Sequence, residues 1–294
     1  MFQITDPVQH DRVKAKLSPA YSGRDAPNLE AVVNRQVGNL IQLIKEKYIS
    51  TQGDYRPMEG TRVTRLFALD VISNLSLGQE FGYLKADSDF HGIVKALNEH
   101  LLIMTLATDI PWLRNLIFSP MFLKLFGPTE NDTKGIGPLM KVANTIVRER
   151  YAPEADEQHD MLVRHFLDVP AGGETMHGKY IPPGTSIGIN ASSLLRSEAL
   201  FGPDPQVFRP ERYLEVDKET SAQMKRDVEI VFGYGRWMCA GKPIAFMELN
   251  KVIFELLRVF DFQLVEPEVA MKSESYMVFH DQNLVLRVTE TGHK

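Results

Sequence analysis

Apolar residues recur along much of this chain at the three-and-four spacing that turns one face of a helix inward. Between Asn28 and Ser50 they fall at Val33, Val37, Leu40, Ile41 and Ile44, and between Thr61 and Leu77 at Val63, Leu66, Phe67, Val71 and Ile72. Both stretches predict amphipathic core helices. Phe90 to Ala107 and Trp112 to Phe126 are two more apolar segments, separated by Asp109-Ile110-Pro111, and Gly135 to Tyr151 predicts another helix. Asp6 to Leu17 reads as a short helix, with Asp6 as N-cap and Pro7 at its first position. Ala240 to Arg258 carries Glu248, Lys251, Glu255 and Arg258 as one narrow polar stripe on an otherwise apolar surface, which predicts a helix buried on most sides.

Strand signals are fewer. Thr175 to Asn190 reads as two strands around the Pro182-Pro183-Gly184 turn, and Tyr276–Phe279 with Leu284–Val288 as a closing hairpin around His280 to Asn283. The expected class is therefore mainly α with small β-sheets, an α+β fold. A length of 294 residues suits one large domain or two ordinary ones.

Composition narrows the function classes. With 44% hydrophobic and 24% charged residues the chain is neither disordered nor fibrous, and 33 basic against 38 acidic residues give no nucleic-acid-binding field. A single cysteine excludes an intramolecular disulfide framework and fits a reducing compartment. The sequons at Asn74, Asn131 and Asn190 therefore carry little weight. The N-terminus, Met-Phe-Gln-Ile-Thr-Asp-Pro, reads as neither a signal peptide nor a membrane span. No pair of histidines has zinc-like spacing, and no Gly-x-Ser-x-Gly elbow or Walker loop is present.

The one cysteine, Cys239, lies in Phe232-Gly-Tyr-Gly-Arg-Trp-Met-Cys-Ala-Gly241, just where the apolar helix begins. A helix N-terminus stabilises a thiolate through its free N–H groups and its dipole, and glycines on either side let a flat ligand lie against the loop. This setting suits a cysteine that ligates a metal or cofactor. Read as a nucleotide loop, Gly233-x-Gly235 lacks the third glycine of the dinucleotide fingerprint.

Phe232, Gly235, Cys239 and Gly241 reproduce the Phe-x-x-Gly-x-x-x-Cys-x-Gly signature of the cytochrome P450 family, and the chain resembles its fungal members related to pisatin demethylase. The resemblance implies that Cys239 is the axial ligand of haem b (iron protoporphyrin IX) iron, its thiolate favouring O–O cleavage. Trp237 stands where the family usually has arginine, with Arg236 one place earlier; either could meet a haem propionate. His10 and Lys14, four residues apart and so on one helix face, resemble the family's other propionate contacts. Pro19-Ala20-Tyr21-Ser22 continues that likeness. Phe208-Arg209-Pro210-Glu211-Arg212-Tyr213 matches the Pro-Glu-Arg motif, whose arginine in the family closes an ion-pair network with a Glu-x-x-Arg helix.

No Glu-x-x-Arg lies between Phe166 and Phe208, so Arg212 is expected to have lost its usual partner. After His159-Asp160-Met161-Leu162, where the family's long distal helix and its acid–threonine pair would follow, the chain passes instead through Leu167-Asp168-Val169-Pro170. The implied architecture is a single, partial P450 domain with an N-terminal helical block over 1–166 and a C-terminal haem-loop block over 169–290. The distal helix and the Glu-x-x-Arg helix are missing from it, as in a truncated or alternatively spliced gene product. By resemblance the activity is a haem-thiolate monooxygenase acting on a small apolar, aromatic or secondary-metabolite substrate. Electrons would come from NADPH through a flavoprotein reductase docking near Arg236 and Lys242. The other reading is an inactive, haem-binding remnant. Full-length relatives are anchored on the cytoplasmic face of the endoplasmic reticulum; a chain without the anchor would be cytoplasmic. Met104, Phe118, Met121 and Phe122 are candidates for a cavity lining.

Overall fold

The computed structural model describes residues 7–21, 28–96, 98–99, 105–106, 110–129, 131–132, 137, 140–141, 144–145, 174–176, 179–181, 191–269, 271–276 and 278–292. Asp6, Met104, most of the helix expected over Gly135–Tyr151, the join after Phe166 and the Pro182-Pro183-Gly184 turn lie outside the described residues. The long helices are α1 (Pro7–Tyr21), α2 (Leu29–Lys47), α3 (Gly60–Leu77), α4 (Lys218–Glu229) and α5 (Lys242–Val259). The strands are β1 (Met58–Glu59), β2 (Glu174–Met176), β3 (Lys179–Ile181), β4 (Phe260–Leu264), β5 (Lys272–Tyr276), β6 (Val278–Gln282) and β7 (Val285–Glu290). They fall into two compact units, Met1–Arg24 with Val163–Ala245, and Asp25–Leu162 with Phe246–Lys294. Each unit is built from two separate stretches of the chain.

In the second unit the core forms where the sequence pattern places it. Val33, Val37, Leu40 and Ile44 of α2 and Val63, Leu66, Phe67 and Val71 of α3 are all buried. Ile72 is 49% exposed, contrary to the pattern. It stands nine residues beyond Val63, about 180° round the helix, and so on the side opposite the packed face. Polar groups finish this core. The Asp70 carboxylate, 1% exposed, accepts the backbone N–H groups of Gly82, Tyr83 and Leu84 at 2.8, 3.0 and 2.8 Å. Arg62 at 2.9 Å, Tyr48 at 2.7 Å and Lys47 at 3.2 Å converge on the carboxylate of Asp87. That cluster ties the end of α2 to α3 and to the helical turn Tyr83–Ala86.

The sheets differ from the expected closing hairpin. β7 is the central strand of an antiparallel β1-β7-β4 sheet, and β5 pairs with β6 across Tyr276↔Val278. The turn around Asn283, at φ 68°, thus joins β6 of one sheet to β7 of another. Burial decides the pairing, since Val288 of β7 and Phe260 of β4 are 0% and 1% exposed. In the first unit β2 and β3 pair directly, Thr175 against Tyr180, so the stretch expected as one strand before Pro182-Pro183-Gly184 is itself a hairpin; the strand expected after that turn lies outside the described residues.

Two apolar segments are less covered than their composition suggests. Trp112 to Phe126 breaks into two short helices, Pro111–Ile117 and Pro120–Phe126, because Ser119 caps the second, its hydroxyl accepting Phe122 N–H at 3.3 Å. Neither buries its apolar side chains: Trp112, Phe118, Met121 and Phe126 are exposed. In α5, Leu249, Ile253, Phe254 and Leu257 are exposed as well, and Ile244 alone of its described residues is fully buried. The expectation of a helix buried on most sides is therefore corrected. Its apolar face meets α2 across a groove of about 1220 Å³ lined by Val37, Gly38, Ile41, Ile253, Phe254 and Leu257. At its polar edge Lys251 bonds Glu30 at 2.8 Å.

Candidate functional site

The cysteine loop starts where α4 ends. Asp217 caps α4 by accepting the N–H groups of Glu219 and Thr220, and the chain then turns through Ile230–Phe232 and Gly235–Trp237. Two left-handed glycines, Gly233 at φ 78° and Gly235 at φ 58°, let it double back. A Cβ at Gly235 would meet nothing within 4 Å, so glycine is required there by backbone conformation and not by crowding. The reversal brings Cys239 N–H onto the Phe232 carbonyl at 2.6 Å. The first and eighth residues of the signature are thereby hydrogen-bonded to one another. Cys239 is a free, partly buried thiol three residues ahead of α5.

Helix α1 packs its predicted residues on this loop. Lys14 donates from Nζ to the carbonyl oxygens of Arg236 at 2.6 Å and Met238 at 2.7 Å. The Arg236 guanidinium pairs with Asp11 at 3.0 Å. His10 is buried, 4% exposed, with Nδ1 3.5 Å from the Asp11 carboxylate. The side chain of Trp237 lies outside the described residues. At the far end of α1, which runs four residues beyond the expected Leu17, Tyr21 reaches Gly241. A Cβ placed on Gly241 would sit 3.7 Å from Cys239 Sγ and 3.8 Å from the Tyr21 ring. Burial pushes the Tyr21 hydroxyl's pKa up, and the charge of Cys239 pushes it further.

Sequence reading missed Asp11, Tyr21 and Glu229. Lys242 bonds Glu229 at 2.5 Å and is mostly buried, so it is engaged at the base of the loop. Asp11 had a legible signal, since it adjoins His10 on the helix that also carries Lys14. Tyr21 falls in the Pro19–Ser22 segment that continues the family likeness, but nothing in its spacing ties it to a loop more than two hundred residues away.

Arg212 finds other partners. It is 7% exposed, and its five N–H donors meet the carbonyls of Phe201, Asp204, Val207 and Arg209 and the carboxylate of Asp204. The motif arginine thus has partners, all within eleven residues of it. Arg209 reinforces the arrangement through Asp204 at 2.9 Å and through Glu215. Hydrogen bonding from Arg209 holds the Asp204 carboxyl below the usual carboxylate range.

The donor set suits one kind of metal. Among the described residues no group of three or more His, Cys, Asp or Glu side chains could hold an ion. A single thiol at a glycine-bordered loop fits an iron already held in a macrocycle and needing one axial ligand.

Comparison with known proteins agrees. The cytochrome P450 family profile matches residues 173–287. The chain is 36% identical to cytochrome P450 monooxygenase aba1 of Botryotinia fuckeliana, covering 99% of this chain and 76% of that protein. It is 32% identical to ABA1 of Pyricularia oryzae, covering 99% and 75%. The first alignment spans 385 positions against 294 residues here, so at least 91 positions of the relative have no counterpart in this chain. A solved structure of a cytochrome P450DA heme domain superposes at a TM-score of 0.57, with 16% identity over 94% of this chain and 74% of that one. The mutant of the same domain gives 0.56 at 17% identity, also over 94% and 74%. The small sheets, the thiol loop and a third of all residues shared along three quarters of a known monooxygenase have a common explanation: this chain belongs to the cytochrome P450 family.

Proposed function

We propose that the chain binds haem b through Cys239 and serves as a haem-thiolate monooxygenase toward a small apolar, aromatic or secondary-metabolite substrate. The observation that carries this reading is the loop closure by which Phe232 fixes the backbone of a free thiol at the start of α5. Bound haem would supply the iron at which dioxygen is reduced and one oxygen atom delivered to substrate. The chain's part is to present the sulfur as thiolate, favoured by the N-terminal end of α5, and to keep it at a fixed height through the Phe232 bond. Phe232, Gly235 and Gly241 shape the loop. His10, Arg236 and Trp237 are the candidates to face the cofactor's carboxylates; Lys14, the fourth expected contact, has its ammonium on the loop's carbonyls. Electrons would come from NADPH through a flavoprotein reductase. Among the described residues no helix is long and apolar enough to cross a membrane. In the family's usual setting the reaction would take place at the cytoplasmic face of the endoplasmic reticulum.

A second reading, a haem-binding remnant without turnover, is favoured by the exposed apolar face of α5 and by the 91 or more positions missing relative to the aba1 protein. A missing distal segment would leave the reacting face open to water. A carbon-monoxide difference spectrum of the reduced protein tests both. The thiolate-ligated band is expected in the wild type and absent in Cys239→Ala; pigment unchanged in that variant overturns the assignment. NADPH consumption coupled to product then separates enzyme from remnant.

A further inference from the structure

We propose that Lys14 is a positioning residue that sets the cysteine loop through its backbone, holding the carbonyls of Arg236 and Met238 and thereby the peptide segment that leads into Cys239. Its ammonium donates to both oxygens, at 2.6 and 2.7 Å, from the middle of α1. These are charge-assisted bonds to neutral acceptors, about twice as strong as ordinary backbone bonds. They fall on alternate carbonyls within and just after the turn Gly235–Trp237, where the backbone bonds Met238 N–H to Gly235 at 3.2 Å. The Phe232 bond fixes Cys239 from the other side of the loop. The loop is therefore held at its base by its own backbone and at its crest by Lys14. Asp11 pairs with Arg236 through side chains that are about half exposed, an arrangement that contributes little.

A lysine held by two carbonyls and a lysine held by a cofactor carboxylate are different devices. The first orders the loop before the cofactor arrives; the second acts only once it is bound. The inference rests on the haem reading for one of its two readouts.

The first readout uses cofactor-free protein. Lys14 covers the carbonyl of the Arg236–Trp237 peptide bond, which is a tryptic site. Cleavage of a transiently opened loop follows the population of the open form. In Lys14→Met, cutting after Arg236 should rise about tenfold, the effect of losing one net charge-assisted bond. The rate is taken relative to cutting after Arg226 in α4 of the same unit, which reports general unfolding. Lys14→Arg should restore the ratio, and Lys14→Gln, a milder change, should fall between. An unchanged ratio in both Lys14→Met and Lys14→Gln overturns the proposal.

The second readout is affinity for haem and for haem dimethyl ester, whose carboxylates are blocked. A loop clamp predicts that Lys14→Met weakens both by the same factor. A loss confined to free haem assigns Lys14 to the carboxylates and overturns it. Should neither ligand bind the wild type, the haem reading falls while the tryptic ratio still decides the clamp.

Discussion

Replacing Arg212 with lysine measures how far the Phe208–Tyr213 segment supports itself. All five guanidinium donors are matched, to four backbone carbonyls and one carboxylate oxygen, at distances of 2.5 to 3.1 Å. Lysine offers three donors, so at least two of these acceptors lose their partner. A buried acceptor left unmet costs about 1–3 kcal/mol, which gives about 2–5 kcal/mol for Arg212→Lys. Arg212→Met strands all four carbonyls, while the Asp204 carboxylate keeps Arg209, and should lie at or above the top of that range. Hydrogen exchange followed by mass spectrometry on the segment 198–215 reads the effect locally. A loss of 2 kcal/mol corresponds to about thirtyfold faster exchange there. Acceleration below about threefold in Arg212→Lys would refute the claim that these bonds replace the missing long-range partner.

Asp87 carries an acid-sensitive contribution. Burial pushes its carboxyl up, but the hydrogen bonds from Tyr48, Arg62 and Lys47 and the charge of Arg62 outweigh burial and hold it below the usual range. The folded value is thus lower than the unfolded one. The stabilisation is complete above the ordinary carboxylate range and is lost as pH falls through that range and through the lowered value. Asp87→Asn should cost about 1–3 kcal/mol near neutral pH and flatten the acid limb of a stability–pH curve; an equal cost at both ends of the curve contradicts this. On α5, Ile253→Gln should change stability by less than about 0.5 kcal/mol, since the side chain is 54% exposed. Leu40→Ala, at 1% exposure, should cost about 2–5 kcal/mol in the same thermal denaturation series. Equal costs would mean that something covers the α5 face in solution.

Much of the site was legible before any coordinates. Local spacing places Cys239 at the head of α5 and puts His10 and Lys14 on one face of α1, because helix geometry relates residues a few positions apart. The same periodicity locates the buried faces of α2 and α3. It failed for Ile72, which lies about 180° round α3 from Val63 and so opposite the buried face, and for the closing strands. There, alternation marks a strand without naming the strand it pairs with.

What the sequence determined by itself is the chemistry on offer: one thiol, its glycine-bordered loop and the helices that carry it. Tertiary structure decided which groups that chemistry meets. It put the Lys14 ammonium on the loop's carbonyls, gave Arg212 five local acceptors, and left Leu249, Ile253, Phe254 and Leu257 uncovered. A periodic pattern states which face of a helix is apolar, but covering that face takes another segment at the right distance, and that segment's presence is a property of the whole chain.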